Sequence, residues 1–333
     1  MTQKPKLDRY GYSVKGETVA SKKEQEMAAF DSRKESEREL KWQRMFLTND
    51  FSKLETRLMK GIPDTYRGEV WKRLICKDCL DPLKVSEWPT VESLIPNISE
   101  DKWVDEYECW STIELDLDRT MPDCAMFSSD ITRNSLRNIL RAYSLLDKEL
   151  GYTQGMAFHA AMLLSYMDEK CAYACFKEMM MSPNFGLRNY FLPGFPRLNE
   201  ISKLWKIVFE RQYKKIYQRF EKLGIIHFMY LPQWFLSAFM NQSFSPILRM
   251  SIYDRFIAHK GQALLSFGLV IISRHKDFFM KEQMESILPV LQHPYISEKM
   301  RDWRYLMKKY DQHWIDERTY RRLFAKAGLE YFP

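Results

Sequence analysis

One stretch constrains the fold more than any other. Over residues 134–150 the apolar side chains Leu136, Ile139, Leu140, Tyr143 and Leu146 recur on one face of a helix, with Gly151 as its C-cap. Residues 156–167 then run apolar almost all round. A helix with one wet face, followed at once by a helix with none, needs neighbours on every side of the second. The rest of the chain offers them. Gly61-Ile62-Pro63-Asp64 is a turn and helix-start signal, and Val70, Trp71, Leu74 and Ile75 follow it at helical spacing. Residues 202–223 carry a stripe of Trp205, Phe209, Tyr213, Ile216 and Phe220, with seven Lys/Arg against two Glu lying mostly on the opposite, solvated face. Helical patterns return over residues 233–240, 248–258 and 261–273 and through the last forty residues. Strand and helix nowhere alternate in the βαβ manner, and only 12 Gly and 14 Pro interrupt 333 residues. The expected class is all-α.

Residues 1–50 hold 11 Lys/Arg and 9 Asp/Glu, with few apolar residues until Leu40, Trp42, Met45 and Phe46. This pattern predicts a flexible tail and then a solvated helix that docks through that cluster. We therefore divide the chain into a charged extension over residues 1–40 and a main domain over 41–333. Residues 79–105 and 183–196 read as irregular connections. The net charge of +7 suits an acidic or phosphate-bearing partner, or a nearby anionic membrane, without calling for nucleic acid. Cys76/Cys79 and Cys171/Cys175 have spacings that suggest zinc, but no histidine falls at finger-like spacing, so the six cysteines are expected to be free or buried thiols. The six histidines are scattered, and no metal is expected. No apolar h-region opens the chain. The longest apolar run, 263–273, is short for a bilayer and is flanked by Lys260 and Arg274. The expectation is a cytoplasmic protein.

Two polar segments interrupt this helical, apolar background. The first is Ile113-Glu114-Leu115-Asp116-Leu117-Asp118-Arg119-Thr120 and the second is Gly151-Tyr152-Thr153-Gln154-Gly155-Met156. Each sets a long polar side chain at the edge of a predicted element. Asp116 stands three positions before Arg119 and could hold its guanidinium; alternatively the two form a surface ion pair worth about 0 to 1 kcal/mol. The Gln154 amide offers both a donor and an acceptor, and its plain alternative is to cap the next helix. Tyr152 reads as a packing neighbour. The first segment also matches D-x-D-x-T, in which Asp116 would be the nucleophile of an aspartyl phosphatase and Asp118 its acid/base. That enzyme needs a parallel sheet and a later acidic pair for magnesium, and the sequence offers neither. The apolar/polar alternation over 113–117 still reads as a strand, in conflict with the all-α class.

Taken together, these segments resemble the I-x-x-D-x-x-R and Y-x-Q-G signatures of the TBC domain, the helical family of Rab GTPase-activating proteins. Gly61-Ile62-Pro63, Arg67-Gly68 and Trp71 are similar to that family's opening motif; Phe191-Leu192-Pro193-Gly194-Phe195-Pro196 and Gln233-Trp234-Phe235-Leu236 are similar to later landmarks. The likeness covers residues 41–279, with the motifs in order. It implies a multi-helix domain of two helical subdomains with an N-terminal helical extension. It also implies a GTPase activator, not an enzyme in its own right, whose partner is a GTP-bound Rab. In that reading Arg119 is an arginine finger, Gln154 acts in place of the GTPase's own glutamine, Asp116 steadies Arg119, and Tyr152 supports them. Arg67 either contacts the GTPase or braces the active surface. GTP and magnesium belong to the partner, so the chain needs no cofactor of its own. The protein would be recruited through partners to endomembranes, where it would regulate vesicle traffic. A domain that binds GTP-loaded Rab without catalysis is the alternative. Relatives usually read R-I-W-D where this chain has Ser251-Ile252-Tyr253-Asp254, and an acid where it has Lys260 before Gly261. Those departures are expected to alter the partner-facing surface and local packing.

Overall fold

The computed structural model describes residues 22–97 and 108–332, with side chains from Arg33 onward. Its α-helices are α1 (Lys22–Leu47), α2 (Leu54–Met59), α3 (Asp64–Ile75), α4 (Pro82–Glu87), α5 (Glu108–Arg119), α6 (Asp130–Leu146) and α7 (Met156–Leu164). They continue with α8 (Glu169–Met181), α9 (Pro196–Lys222), α10 (Leu231–Phe235), α11 (Pro246–Lys281), α12 (Met284–Gln292), α13 (Trp303–Gln312) and α14 (Glu317–Ala327). No strand occurs among the described residues. The all-α class holds.

Two packing groups share this core. In the first, α6 lies against α5, α7 and α8; in the second, α9 packs on α11 and α14 while α13 covers α11. Helix α3 touches both α8 and α11 and so ties the groups together. Every residue of α7 except Phe158 is buried, as its apolar composition requires. Helix α11 runs for 36 residues, long and apolar enough to cross a membrane by composition, but 78% of that apolar window is buried inside the protein. It serves as the central beam of the second group. A non-helical residue, Lys260 (φ 48°, ψ −129°), breaks it where the sequence separates two helical patterns.

Several boundaries differ from the sequence reading, each for a local reason. Helix α6 ends at Leu146 instead of about Leu150, because Asp147 takes over its terminus. The Asp147 carboxylate accepts from Tyr143 Oη (2.9 Å) and from Arg188 Nε (2.6 Å), while the Gly151 N–H donates to the Asp147 carbonyl (2.7 Å). Gly151 is thus the left-handed residue of the following turn, not the C-cap. The helix expected over 233–240 stops at Phe235, and Ala238 and Phe239 adopt left-handed conformations that bury both side chains. In α1, Trp42 and Met45 dock as expected and Phe46 stacks on Tyr66 (5.0 Å between centroids), but Leu40 is exposed. The flexible tail expected for the N-terminus lies outside the described residues except where α1 begins, as does part of the 79–105 connection. Within that connection, α4 is held by an N-cap, the Asp81 carboxylate accepting from Leu83 N (3.0 Å).

Candidate functional site

The strand-like run 113–117 is helical. Ile113, Asp116 and Leu117 fall on the buried face of α5, while Leu115 and Asp118 are exposed. Tertiary packing of the amphipathic face overrides the local alternation. Asp116 and Asp118 consequently point to different surroundings, Asp118 pairing with Arg133 on the surface. The all-helical fold offers no strand end on which a D-x-D-x-T nucleophile would sit, and the phosphatase reading falls.

Arg119 is the last residue of α5, and its side chain is 53% exposed. Its guanidinium donates to the Asp116 carboxylate, which is itself buried. The other Asp116 oxygen accepts from Tyr152 Oη. The Asp116 carbonyl accepts from Thr120 Oγ1 (2.6 Å). Burial, and after it the Asp116 charge, push the Tyr152 hydroxyl well above the ordinary phenol range, so it stays a proton donor. The carboxylate therefore joins the end of α5 to the turn before α7.

That turn carries Gln154. It runs between two glycines of positive φ, Gly151 (62°) and Gly155 (107°). Gly155 is the N-cap of α7; a Cβ there would lie 3.1 Å from the Leu236 carbonyl oxygen, so the close approach of two chain segments also demands glycine. The Gln154 side chain is exposed, and α7 has no side-chain cap, so the capping alternative does not apply. Below the turn, fully buried His159 bonds the same Leu236 carbonyl through Nε2 (3.1 Å) and Tyr253 Oη through Nδ1 (3.2 Å). Burial lowers its pKa to about 4, which keeps the ring neutral. The sequence reading passed over His159; its position in an otherwise apolar helix was the available signal.

Beside Arg119 lies a groove of about 410 Å³, walled by Met121, Phe158, Met240, Asn241, Gln242 and Arg249 among others. Arg249 pairs with Asp123 (2.6 Å) across its floor. None of these polar groups was singled out from the sequence: Asp123, Asn241 and Gln242 lie in loops, which have no period to mark them, and Arg249 is one polar residue on a long helix.

Arg67 stands elsewhere. It is buried, donating through Nε to Asp254 Oδ1 (3.0 Å), through Nη2 to the Ile62 carbonyl (2.8 Å), and through Nη1 to Asp64 and to Tyr166 Oη (3.1 Å). Trp71 Nε1 also donates to Asp254 (2.9 Å). Gly68 beside it is obligatory, since a Cβ would sit 2.2 Å from the Tyr166 carbonyl oxygen. This buried arginine braces α3 against α11. The Ser251-Ile252-Tyr253-Asp254 departure falls on the same beam. Tyr253 and Asp254 are buried and Ser251 half-buried with its hydroxyl on the Ile247 carbonyl (2.7 Å), so its effect is on packing and not on an exposed surface. Lys260 is also half-buried, its ammonium 5.2 Å from the Phe185 ring. The cysteines are free thiols. Cys79 and Cys175 approach to 3.8 Å between sulfurs, but among the described residues no group of three or more His, Cys, Asp or Glu is arranged to hold a metal.

The site thus sets a braced, half-exposed arginine beside an open groove on an all-α scaffold. Residues 64–280 match the family model described as the Rab-GTPase-TBC domain. The chain belongs to that family. It is 29% identical over 81% of its length to the GTPase-activating protein GYP5 of Eremothecium gossypii, spanning 31% of that protein. To TBC1 domain family member 1 of Mus musculus it is 28% identical over 74% of its length, spanning 20% of that protein. The chain thus covers well under half of either relative. Among solved structures, it is similar to the Ypt/Rab-GAP domain of Gyp1p (TM-score 0.64, 16% identity, 80% of this chain and 92% of that one). It is also similar to a Chlamydomonas flagellar RabGAP TBC domain (TM-score 0.65, 20% identity, 91% and 99%).

Proposed function

We propose that this chain accelerates GTP hydrolysis by a Rab-family GTPase, with Arg119 and Gln154 entering the partner's nucleotide site. One observation carries this reading: a single buried carboxylate, Asp116, holds Arg119 with one oxygen and Tyr152, two residues from Gln154, with the other. Two side chains of different type, on different elements, are thereby held relative to each other before any partner arrives.

In hydrolysis, water adds to the γ-phosphorus as the bond to the β–γ bridging oxygen breaks, giving GDP and phosphate. Negative charge builds on the phosphoryl oxygens and the bridge. The planar, permanently charged guanidinium of Arg119 neutralises it, an effect worth roughly 10³ to 10⁵ in rate, or about 4 to 7 kcal/mol. Release from Asp116 is not required, because a guanidinium has five donors and the carboxylate engages only one edge. The Gln154 amide accepts from the attacking water and donates to a phosphoryl oxygen, and its exposure leaves both groups available. GTP and magnesium arrive with the partner, and the chain supplies no cofactor. The site of action is the cytoplasmic face of endomembranes, reached through the GTPase or another partner. Phosphate release from a panel of GTP-loaded Rabs tests the reading. Acceleration of one or a few, lost in Arg119→Ala and in Gln154→Ala, is expected. GTP-dependent binding with no acceleration by the wild type would leave a non-catalytic binding domain instead.

A further inference from the structure

Helix α5 ends against its own electrostatics. A helix C-terminus carries partial negative charge and favours cations, yet the last turn of α5 holds two acids, Asp116 and Asp118, ahead of Arg119. Asp116 is explained by its bonds to Arg119 and Tyr152. Asp118 has no such role, and its side chain is 74% exposed. Helix α6 shows the converse: Arg133 lies near its N-terminus, where the dipole favours acids. The two misplaced charges meet, Arg133 Nη2 donating to Asp118 Oδ1. Neither residue suits its own helix; each suits the contact between them.

The contact continues along both helices. Arg133, Arg137 and Arg141 recur every four residues and form one row on α6, while Glu114 and Asp118, also four apart, form the facing row on α5. Glu114 Oε1 accepts from Arg137 Nε (2.7 Å) and Arg141 Nη2 (2.8 Å), and its Oε2 accepts from Arg137 Nη2 (2.9 Å). Arg137 thus forks onto both oxygens, the strong geometry for this pair. The Arg141 side chain is only 8% exposed, and its guanidinium also lies 4.6 Å from the Trp110 ring of α5. The acids run forward as the arginines run back, so the two helices are antiparallel.

Apolar packing through Trp110, Ile113 and Leu117 presses α5 onto the core, but such contacts are non-directional. Discrete charges in facing rows fix the register along the axis as well. The end of α5 is where register matters, because Arg119 is its last residue and helix ends fray. The Asp116–Arg119 pair cannot supply this, since both residues belong to α5. We infer that Glu114 is a positioning residue for Arg119. It indexes α5 against the arginine row of α6, and the Asp118–Arg133 pair holds the last turn. The inference rests on Arg119 entering the partner's nucleotide site.

The test joins hydrogen exchange of the chain alone to stimulated hydrolysis of a GTP-loaded Rab. In Glu114→Gln, amide exchange over residues 115–119 should quicken about tenfold, one charge-assisted contact being lost. The stimulated kcat should fall about tenfold, with KM for the GTP-loaded Rab changed less than about twofold. Asp118→Arg should act in the same direction by facing Arg133 with a like charge. Adding Arg133→Asp should restore both readouts to within about twofold, since the reversed pair also suits both helix dipoles. If Glu114→Gln does not fold, this reversal decides alone. Unchanged exchange overturns the inference, as does a loss that the reversed pair fails to rescue, which would make Asp118 a contact of the GTPase. Altered exchange with unchanged kcat, where Arg119→Ala is inactive, overturns it too. A wild type that accelerates no Rab, with exchange altered and rescued as expected, removes the activator reading and leaves the indexing of Arg119 standing.

Discussion

Arg67 and Arg119 share a sequence pattern and have opposite fates. Each follows an aspartate by three positions, Asp64 and Asp116, and pairs with it; each of these clusters also includes a tyrosine hydroxyl, from Tyr166 and Tyr152. The Arg67 side chain is 4% exposed and that of Arg119 is 53%. Around Arg67 a second carboxylate, Asp254, takes Nε and a backbone carbonyl takes Nη2, and the network is sealed between α3 and α11. Around Arg119 the burial is reversed: the carboxylate is inside and the cation outside. A sealed network holds two packing groups together, while a half-sealed one holds a charge in readiness. The D-x-x-R spacing sets up the pair; the next neighbour decides which it becomes.

This contrast can be broken by experiment. The largest effect is expected from Arg67→Ala, which strands buried Asp254 without its cation. Urea unfolding should show a loss of about 3 to 5 kcal/mol, and a loss under about 1 kcal/mol, as at an exposed pair, would mean the network is not a brace. Arg119→Ala should invert the pattern, with stimulated hydrolysis falling at least about a hundredfold, or about 2.7 kcal/mol, while the thermal melt matches wild type. A destabilised variant with unchanged activity would make Arg119 a second brace.

Acid should act next. His159 is held neutral, its pKa lowered from the ordinary value of 6.5 to about 4 by burial. Between those values the unfolded chain binds a proton that the folded chain refuses, so stability falls as pH drops from 6.5 toward 4, by up to about 1.4 kcal/mol per pH unit. Urea melts across that range should show a shallower slope in His159→Gln, the part due to His227 and His275, which burial also lowers to about 4, remaining in the variant. The smallest effect belongs to Tyr152→Phe, which removes one hydroxyl from Asp116 and leaves the ring. Stimulated hydrolysis should fall about five- to tenfold, near 1 kcal/mol, with GTPase binding retained, and an unchanged rate would show that the link between α5 and the Gln154 turn is dispensable.

Much of this was readable in the chain. The apolar periods of α6 and α7, the break before Gly261, and the Arg119 and Gln154 segments all lie in short windows where local chemistry dominates. Contacts between distant residues were not. The alternation over residues 113–117 reads as a strand until α6 and α7 cover one side of it. The end of α6 depends on Arg188, 41 residues beyond Asp147. The partner of Arg67 on α11, Asp254, is 187 residues away.

The sequence by itself determined an all-helical chain, its family likeness, and the two segments that carry an arginine and a glutamine. It did so because helical period and motif spacing are properties of neighbouring residues. Only the tertiary structure decided that Arg67 is enclosed and Arg119 presented, and that Tyr152 binds Asp116. Burial and hydrogen-bond pairing depend on which segments the fold brings into contact, and no local pattern encodes that.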